Sequence, residues 1–325
     1  MKIPRRMIGL LLAATIAAGF AAAPALGAAP TARGLEEDAV CTHCHDDTEI
    51  KPVLSIYQTR HGVRADSRTP SCQSCHGASE KHLAGDPNQV GRAATDIQFG
   101  RGGVYPPSEP ETQAGACLVC HKSGARAHWA GSEHQGHDIV CADCHRVHVR
   151  DDPVLTKATQ PPVCFACHKE QRAQIHRIST HPIAAGKMGC SDCHNPHGST
   201  SAHLLVKRSV NETCYTCHAE KRGPFLWEHG PVVDDCTNCH TPHGSVSTPL
   251  LKQRAPWLCQ DCHSGDHSNQ INSGANLQGG NYTTVNSANP LANSAARAQL
   301  NARNCMNCHV LVHGSNHPAG SKFMR

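Results

Sequence analysis

The chain has few of the side chains that build a conventional apolar core. Its 325 residues are 38% hydrophobic and only 4% aromatic, and methionine occurs five times. A domain of about 300 residues normally buries roughly 75% of the surface that its unfolded chain exposes. These proportions exclude a large core made of amino-acid side chains alone, so another material must fill the interior.

Long hydrophobic runs are missing except at the N-terminus. There, a basic start precedes an apolar stretch at 7–23 and a small-residue segment at 24–29. This order predicts a cleaved secretory signal peptide over residues 1–28, and the alanine and glycine content favours it over an uncleaved membrane anchor. Residues 29–325 are therefore expected to reach the periplasm, with no transmembrane span of their own.

An excess of charge of one sign is also missing. The chain carries 30 basic and 26 acidic residues, and three of the basic ones, Lys2, Arg5 and Arg6, lie in the predicted signal peptide. The exported part therefore has 27 basic residues against 26 acidic ones. No cluster of lysine and arginine is interleaved with aromatic residues, so no nucleic-acid partner is expected.

Cysteine and histidine are abundant, with 20 and 26 residues, and all the cysteines fall in ten Cys-x-x-Cys-His motifs. The cysteines are Cys41 and Cys44, Cys72 and Cys75, Cys117 and Cys120, Cys141 and Cys144, Cys164 and Cys167, Cys190 and Cys193, Cys214 and Cys217, Cys236 and Cys239, Cys259 and Cys262, and Cys305 and Cys308. The histidines that end the motifs are His45, His76, His121, His145, His168, His194, His218, His240, His263 and His309.

This pattern predicts ten covalently bound haem c groups. The two thiols of a motif form thioethers to one haem, and the adjacent histidine is the proximal ligand of its iron. A zinc half-site, a thioredoxin-like redox pair or a disulfide would not need a histidine after the second cysteine in every case. The haems would replace the missing core, and no thiol is left for a disulfide.

The motifs repeat in twos. The stretches that begin at Cys141, Cys190 and Cys236 each contain a motif, a histidine three residues after the motif histidine, an aliphatic pair or its equivalent, and a second motif. This repetition predicts one domain over 29–325, built from five two-haem repeats. Insertions at 83–116 and 268–304 interrupt it, as surface loops or as segments that contact a partner or shield a haem.

The predicted fold class is a multihaem cytochrome c. Periodicity for long helices or strands is absent, so we expect mostly loops and short α-helices wrapped around a chain of ten haems, with little or no β structure. The short helices are expected to start at the Cys-x-x-Cys-His motifs.

Sixteen further histidines are available as distal iron ligands. Five candidates lie downstream of a motif, with His82 as the loosest match: His82, His148, His197, His243 and His313. Five lie upstream of an even-numbered motif, and the last is the fifth repeat's only candidate: His61, His134, His181, His229 and His267. Four alternatives to neighbours in this set stay open: His128, His137, His176 and His317. His43 and His203 are not expected to be ligands.

Methionine, the alternative axial ligand, is almost absent. Only Met188, Met306 and Met324 remain after the predicted signal peptide, and Met306 lies inside a motif. Because methionine ligation raises a haem potential, its scarcity predicts bis-histidine haems of low potential. Such irons have no open position for a substrate, which favours an electron carrier over a multihaem oxidoreductase of the nitrite- or hydroxylamine-converting kind. No catalytic residue is therefore predicted.

The sequence resembles the decahaem MtrA/DmsE/PioA-type cytochromes over residues 36–325. The resemblance rests on the ten motifs, on the CHxPHGS elements at His194 and His240, on the insertions after the second and ninth motifs, and on the ending NCHVLVHGSNHPAGSKF. Because no long extension precedes Cys41, the chain is most similar to the compact, MtoA-like members.

This resemblance implies an electron wire seated in an outer-membrane porin-like β-barrel. The wire would link periplasmic redox carriers to an extracellular multihaem cytochrome, a mineral or a terminal reductase, in iron oxidation or in metal or sulfoxide respiration. A chain with no span of its own can cross a bilayer only inside such a barrel. The alternative within the carrier class is a free periplasmic shuttle.

Overall fold

The computed structural model describes residues 33–49, 52–63, 66, 68–100, 104–263, 305–318 and 320–323. The predicted signal peptide, the insertion at 268–304 and the candidate ligand His267 lie outside these residues.

Each motif forms one helical turn. In nine motifs the backbone N–H of the motif histidine donates to the carbonyl of the first cysteine at 2.8–3.0 Å, as His145 does to Cys141. The tenth motif is itself the α-helix Cys72–His76. Residues i, i+3 and i+4 share one face of a helical turn. The spacing of the motif therefore points both thiols and the imidazole toward the same side.

Helices meet the odd-numbered and even-numbered motifs differently. Even-numbered motifs begin a helix: α2 Cys72–His76, α6 Cys141–Cys144 and the 3-10 helices Cys190–Asp192, Cys236–Asn238 and Cys305–Asn307. Odd-numbered motifs lie at or near the end of one: α1 Arg33–Thr42, α4 Pro110–Leu118, α7 Gln160–Cys164, α9 Val210–Cys214 and α11 Trp257–Gln260. The expectation that helices start at the motifs is therefore right for the even-numbered motifs and wrong for the odd-numbered ones.

The reason lies in the residues that precede the odd-numbered motifs. Pro110 and Pro161 occupy the first turns of α4 and α7, where a missing N–H costs nothing, and the Ser209 side chain caps α9 by accepting from the Glu212 N–H. These start signals lie upstream of the cysteines, so the helix is already formed when the motif begins.

The remaining helices are short. They are α3 Glu80–Ala84, α5 Glu133–Gly136, α8 Lys169–Gln174, α10 Gly230–Asp234 and the 3-10 helices Val53–Gln58, Arg60–Gly62, Gly124–Arg126, Pro153–Leu155, Ala202–Leu204, Ala219–Lys221 and Gly320–Lys322. In the described ranges β structure consists of isolated antiparallel bridges, such as Ser179 with Ser245 and Trp227 with Ser315. The predicted fold class is thus confirmed.

Helices of successive motifs contact each other. Helix α1 packs on α2, α2 on α4 and α4 on α6, while α7 and α9 each contact the 3-10 helix of the motif that follows. In the described part of the chain, no helix is both long and apolar enough to cross a bilayer.

The interior of the described chain is not filled by apolar side chains. Only Ala114, Trp129, Val140 and Ile175 are buried hydrophobic residues there, and no described side chain is fully buried. Instead, a continuous cavity of about 4850 Å³ runs through the molecule and is lined by all 20 cysteines. An ordinary ligand pocket has a volume of about 300–1,000 Å³, so this cavity has room for several large groups.

The haem-free chain is expected to be unfolded, because the four buried apolar residues cannot offset the conformational entropy of roughly 1–2 kcal/mol per ordered residue. Circular dichroism of the exported chain, produced without haem attachment, should show no cooperative melting transition, whereas the haem-loaded protein should show one. A cooperative transition in the haem-free chain would contradict this expectation.

Candidate haem-binding sites

The motif histidines face second histidines across a constant gap. In nine pairs the ring centroids lie 6.0–6.4 Å apart, although the angle between the rings varies from 9° to 86°. The pairs, motif histidine first, are His45 with His82, His76 with His148, His121 with His61, His145 with His197, His168 with His134, His194 with His243, His218 with His181, His240 with His313 and His263 with His229.

This separation matches two imidazoles bound to opposite sides of one metal ion. With a metal–nitrogen bond of about 2.0 Å and about 1.1 Å from ring nitrogen to ring centre, the two centroids lie about 6.2 Å apart. If the rings were in direct contact, the distance between their centroids would change with the angle between their planes. A constant distance at every angle is what a central atom imposes.

Hydrogen bonds orient most of the paired rings. In eight of them Nδ1–H donates to a backbone carbonyl at 2.7–3.0 Å, as His181 does to Pro242 and His229 to Val312. In two others, His45 and His145, Nδ1 bonds to a carboxylate at 2.7 Å. A proton held on Nδ1 leaves the Nε2 lone pair free for a metal.

Burial keeps several of these histidines neutral. Desolvation is the main cause that lowers the pKa of His76, His240 and His243 below the usual value, and neighbouring histidines lower it further. The same holds for the pKa of His197 and of His313. Since only the neutral imidazole binds a metal, these surroundings favour coordination.

We number the sites 1–10 in motif order and group them into five units, A to E, of two sites each. Within every unit the first thiols of the two motifs contact each other: Cys41 with Cys72, Cys117 with Cys141, Cys164 with Cys190, Cys214 with Cys236 and Cys259 with Cys305. The covalent attachment points of the two sites in one unit are therefore adjacent.

The paired histidines connect neighbouring units. The histidine between the two motifs of a unit faces the odd-numbered site of the next unit, as His134 of unit B faces His168 of unit C. The histidine after the second motif faces the even-numbered site of the preceding unit, as His197 of unit C faces His145 of unit B. Every junction is thus crossed by one histidine in each direction.

Nine of the ten candidate distal ligands lie in these pairs, and the tenth, His267, is outside the described residues. Of the four alternatives, His128, His137 and His176 are not paired with a motif histidine in the described residues. The backbone N–H of the fourth, His317, donates to Ser315 Oγ at 2.9 Å. His203 contributes its backbone carbonyl, which accepts from His194 Nδ1 at 2.7 Å. That role was not visible in the sequence, because a carbonyl leaves no signature in residue type.

Part of the first insertion supports two sites. The Ile97 carbonyl accepts from His76 Nδ1 at 3.0 Å, and the Ala93 carbonyl accepts from His82 Nδ1 at 2.7 Å. Arg92 Nε in turn donates to the His82 carbonyl at 2.7 Å. The described residues of 83–116 therefore form part of the surroundings of sites 1 and 2.

The residues present fit a haem. In the described residues no group of three or more His, Cys, Asp or Glu could hold a metal ion, so an iron between two paired histidines would need a group that brings further ligands, as a porphyrin does. The N–H groups of Arg126 Nε and Trp129 Nε1 are buried without an acceptor in the described chain. Buried donors of this kind call for a partner, and a haem propionate would supply an acceptor for them.

Glycines that directly follow three paired histidines in the sequence allow the backbones of neighbouring units to come close together. Gly198, Gly244 and Gly314 follow His197, His243 and His313 with φ of 113°, 149° and 132°. A Cβ at Gly244 would lie 2.0 Å from the Gln174 carbonyl oxygen. Only glycine fits, which explains the PHGS and VHGS elements of the sequence.

Comparison with known proteins supports this description. The doubled CXXCH motif family matches residues 181–223 and 229–268, and the NrfB-like cytochrome c-type family matches residues 72–160. Multiheme cytochrome MtrA of Shewanella baltica is 43% identical over 290 residues, which cover 88% of this chain and 80% of that protein. Cytochrome c-type protein NrfB of Haemophilus influenzae is 27% identical over 157 residues, covering 41% of this chain and 65% of that protein.

The fold and the motifs thus define a multihaem c-type cytochrome, which binds haem c through its Cys-x-x-Cys-His motifs and transfers electrons. Its relatives are cytochromes rather than enzymes, which confirms the prediction of an electron carrier. The chain belongs to the MtrA family of multihaem cytochromes, and the predicted resemblance is confirmed.

Replacing Gly244 by alanine is expected to destabilise the haem-loaded protein. Backbone conformations reserved for glycine cost another residue about 1–3 kcal/mol, and the new Cβ would clash with the Gln174 carbonyl. The melting temperature in calorimetry should fall, by about 2–4 °C per kcal/mol. Gly115→Ala is the control, because that glycine lies in α4 and a Cβ on it would have nothing within 4 Å. Equal melting temperatures for the two variants would contradict the explanation.

Proposed function

We propose that this cytochrome is a wire of ten haems that carries electrons across the outer membrane inside a porin-like β-barrel. It would exchange electrons with periplasmic carriers at one end. At the other end it would meet an extracellular multihaem cytochrome, a mineral or a terminal reductase. The observation that carries the proposal is the exchange of paired histidines between successive units.

This exchange supports a linear order of haems. The second histidine of site 5 in unit C belongs to unit B, and the second histidine of site 6 belongs to unit D. The same relation holds at each described junction, so the described pairs tie each internal unit to the unit before it and the unit after it. In our proposal the haems follow the order of the motifs, and electrons pass from unit to unit along it.

Bis-histidine ligation suits such a wire. Each motif histidine would be the proximal ligand and its paired histidine the distal ligand, with Nε2 of both rings on the iron. The haem supplies the redox change, and the hydrogen bonds on Nδ1 hold both rings in place whether or not an electron is present. Two histidine ligands would also leave no position on the iron for a substrate, and the absence of methionine from the nine described pairs would keep the potentials low.

At the C-terminal end the proposal includes a tenth pair, between His309 and His267. His309 is oriented like the other motif histidines, since its Nδ1 bonds to the Lys322 carbonyl. His267 lies between motifs 9 and 10 in the sequence, just as His61 lies between motifs 1 and 2. In our proposal His267 is therefore the second histidine of site 10, within its own unit.

Family membership supports the proposed porin-like partner and periplasmic location. The chain is 43% identical to multiheme cytochrome MtrA over most of both proteins. The predicted signal peptide is consistent with export, and haem c is attached after export. These points support assembly with an outer-membrane barrel, in the setting that the family resemblance implies.

Replacing His243 by methionine is expected to raise the potential of one haem, because methionine is a weaker donor to ferric iron than imidazole. In a potentiometric titration followed by visible absorption, one component should move to higher potential while the others stay in place. His176→Met is the matched control, since His176 is exposed and belongs to no pair. An unchanged titration of the His243 variant with full haem content would contradict ligation by His243.

Purification from native membranes tests the porin partner. We expect a β-barrel protein to co-purify with the cytochrome after mild detergent extraction. Vesicles reconstituted from this material should oxidise or reduce a trapped redox dye in response to an external electron donor or acceptor, whereas vesicles that contain the barrel alone should not. Recovery of the cytochrome alone in the soluble periplasmic fraction would contradict the wire and favour a free periplasmic shuttle.

A further inference from the structure

In unit C two backbone carbonyls hold the second motif. The ring Nδ1 of His194 donates to the His203 carbonyl at 2.7 Å, and the backbone N–H of Asn195 donates to the Leu204 carbonyl at 2.6 Å. Leu204 has a φ of 56°, in the left-handed region that side chains other than glycine rarely occupy. This backbone conformation turns both carbonyls toward the motif.

Unit D repeats the arrangement. His240 Nδ1 donates to the Pro249 carbonyl at 2.9 Å, and the Thr241 N–H donates to the Leu250 carbonyl at 2.7 Å. Leu250 has a φ of 58°. The repetition shows that neutral carbonyls are the regular acceptors at this place in the repeat.

Unit B departs from this arrangement at site 4. Asp152 replaces both carbonyls with one carboxylate: Oδ2 bonds to His145 Nδ1 at 2.7 Å, and Oδ1 accepts from the Arg146 N–H at 3.3 Å. Oδ1 also accepts from the Val154 N–H at 3.3 Å, which fixes the side chain at the start of the 3-10 helix Pro153–Leu155. The Asp152 side chain is only 12% exposed.

A carboxylate changes the ligand that it contacts. Hydrogen bonds to an ionised acceptor are stronger than those to a neutral carbonyl. A proximal histidine that donates to a carboxylate becomes a more basic, more electron-donating ligand. Since ferric iron gains more from such a ligand than ferrous iron does, the reduction potential of that haem falls.

We propose that Asp152 is a positioning residue that lowers the reduction potential of haem 4 below the potentials of haems 6 and 8, whose motif histidines donate to carbonyls. This inference rests on the proposed ligation of haem 4 by His145 and His197. In the proposed wire, an electron that passes between units A and C would meet a step of higher energy in unit B. Asp152 thereby shapes the energy profile along the wire.

Asp152→Asn tests the proposal in the haem-loaded protein. Asparagine keeps the size and one acceptor oxygen but removes the charge, so one of the titrating components should shift upward. We expect at least a tenfold change in its one-electron equilibrium constant, which corresponds to about 59 mV. The other components should not move. Haem content and low-spin electron paramagnetic resonance signals should stay unchanged.

Asp151→Asn is the matched control. Asp151 is the preceding residue, its side chain is 78% exposed, and it pairs with Arg150 at 2.9 Å without contact to a motif histidine. The Asp151→Asn variant measures the effect on the titration of losing one negative charge next to Asp152. Equal titrations for the two variants, in proteins with full haem content and low-spin iron, would overturn the proposal. A high-spin signal in the unaltered protein would instead contradict the bis-histidine ligation on which it rests.

A second variant keeps the test decisive if Asp152→Asn loses haem. Glu49 bonds to His45 Nδ1 at 2.7 Å, and with its side chain 33% exposed it can be changed without opening the interior. Glu49→Gln should raise the potential of haem 1 by the same mechanism. The shift should be smaller than that expected for Asp152, because Glu49 is more exposed than Asp152 and solvent screens its charge more strongly. No shift in this variant would overturn the proposed role of the carboxylates.

Discussion

The structure depends on pairs of imidazoles held about 6 Å apart, with one ring in a motif and the other, in eight of the nine described pairs, in a neighbouring unit. Apolar packing is too sparse in the described residues to fix the positions of short helices and loops. Metal–ligand bonds through haems would fix them instead, and they explain why a chain with so little helix and strand can have a defined structure.

The second feature on which the structure depends is the hydrogen-bond acceptor on Nδ1 of most of the rings. Imidazoles that only touched an iron could rotate about that bond, but a carbonyl or carboxylate on Nδ1 removes this freedom. Several of these acceptors belong to a neighbouring unit, as Pro196 does for His134 and Pro242 for His181. Hydrogen bonds and the facing histidine rings therefore connect the same units, while glycines such as Gly244 let the backbones come close enough for both.

The sequence allowed a large part of this arrangement to be predicted. The attachment motifs, the fold class and the family could be inferred from residue types and spacing, because thioether attachment requires a fixed local pattern. The two sets of candidate distal histidines also follow from the repeat. Which motif each one faces does not, since His61 and His148 lie 60 and 72 residues from the motif histidines opposite them.

Two kinds of feature could not be predicted from residue patterns: hydrogen bonds accepted by the backbone, and the replacement of a carbonyl acceptor by a carboxylate in one unit. The carbonyls of His203 and Pro249 have no sequence signature, and Asp152 looks like an ordinary helix-capping aspartate in the stretch DDPVL. The helix positions at odd-numbered motifs were missed because start signals upstream of the cysteines, such as Pro110, Pro161 and the Ser209 cap, decide where those helices begin.

The reciprocal exchange of histidines has a consequence for how such chains can change in length. Each internal unit receives one histidine from the unit before it and one from the unit after it, and gives one to each in return. Duplicating or removing an internal unit would leave a facing histidine for each motif histidine of the described pairs. The first unit differs from the internal ones, because His82 faces His45 within its own unit. A molecule built in this way can grow or shrink in steps of two haems without redesign of its interior.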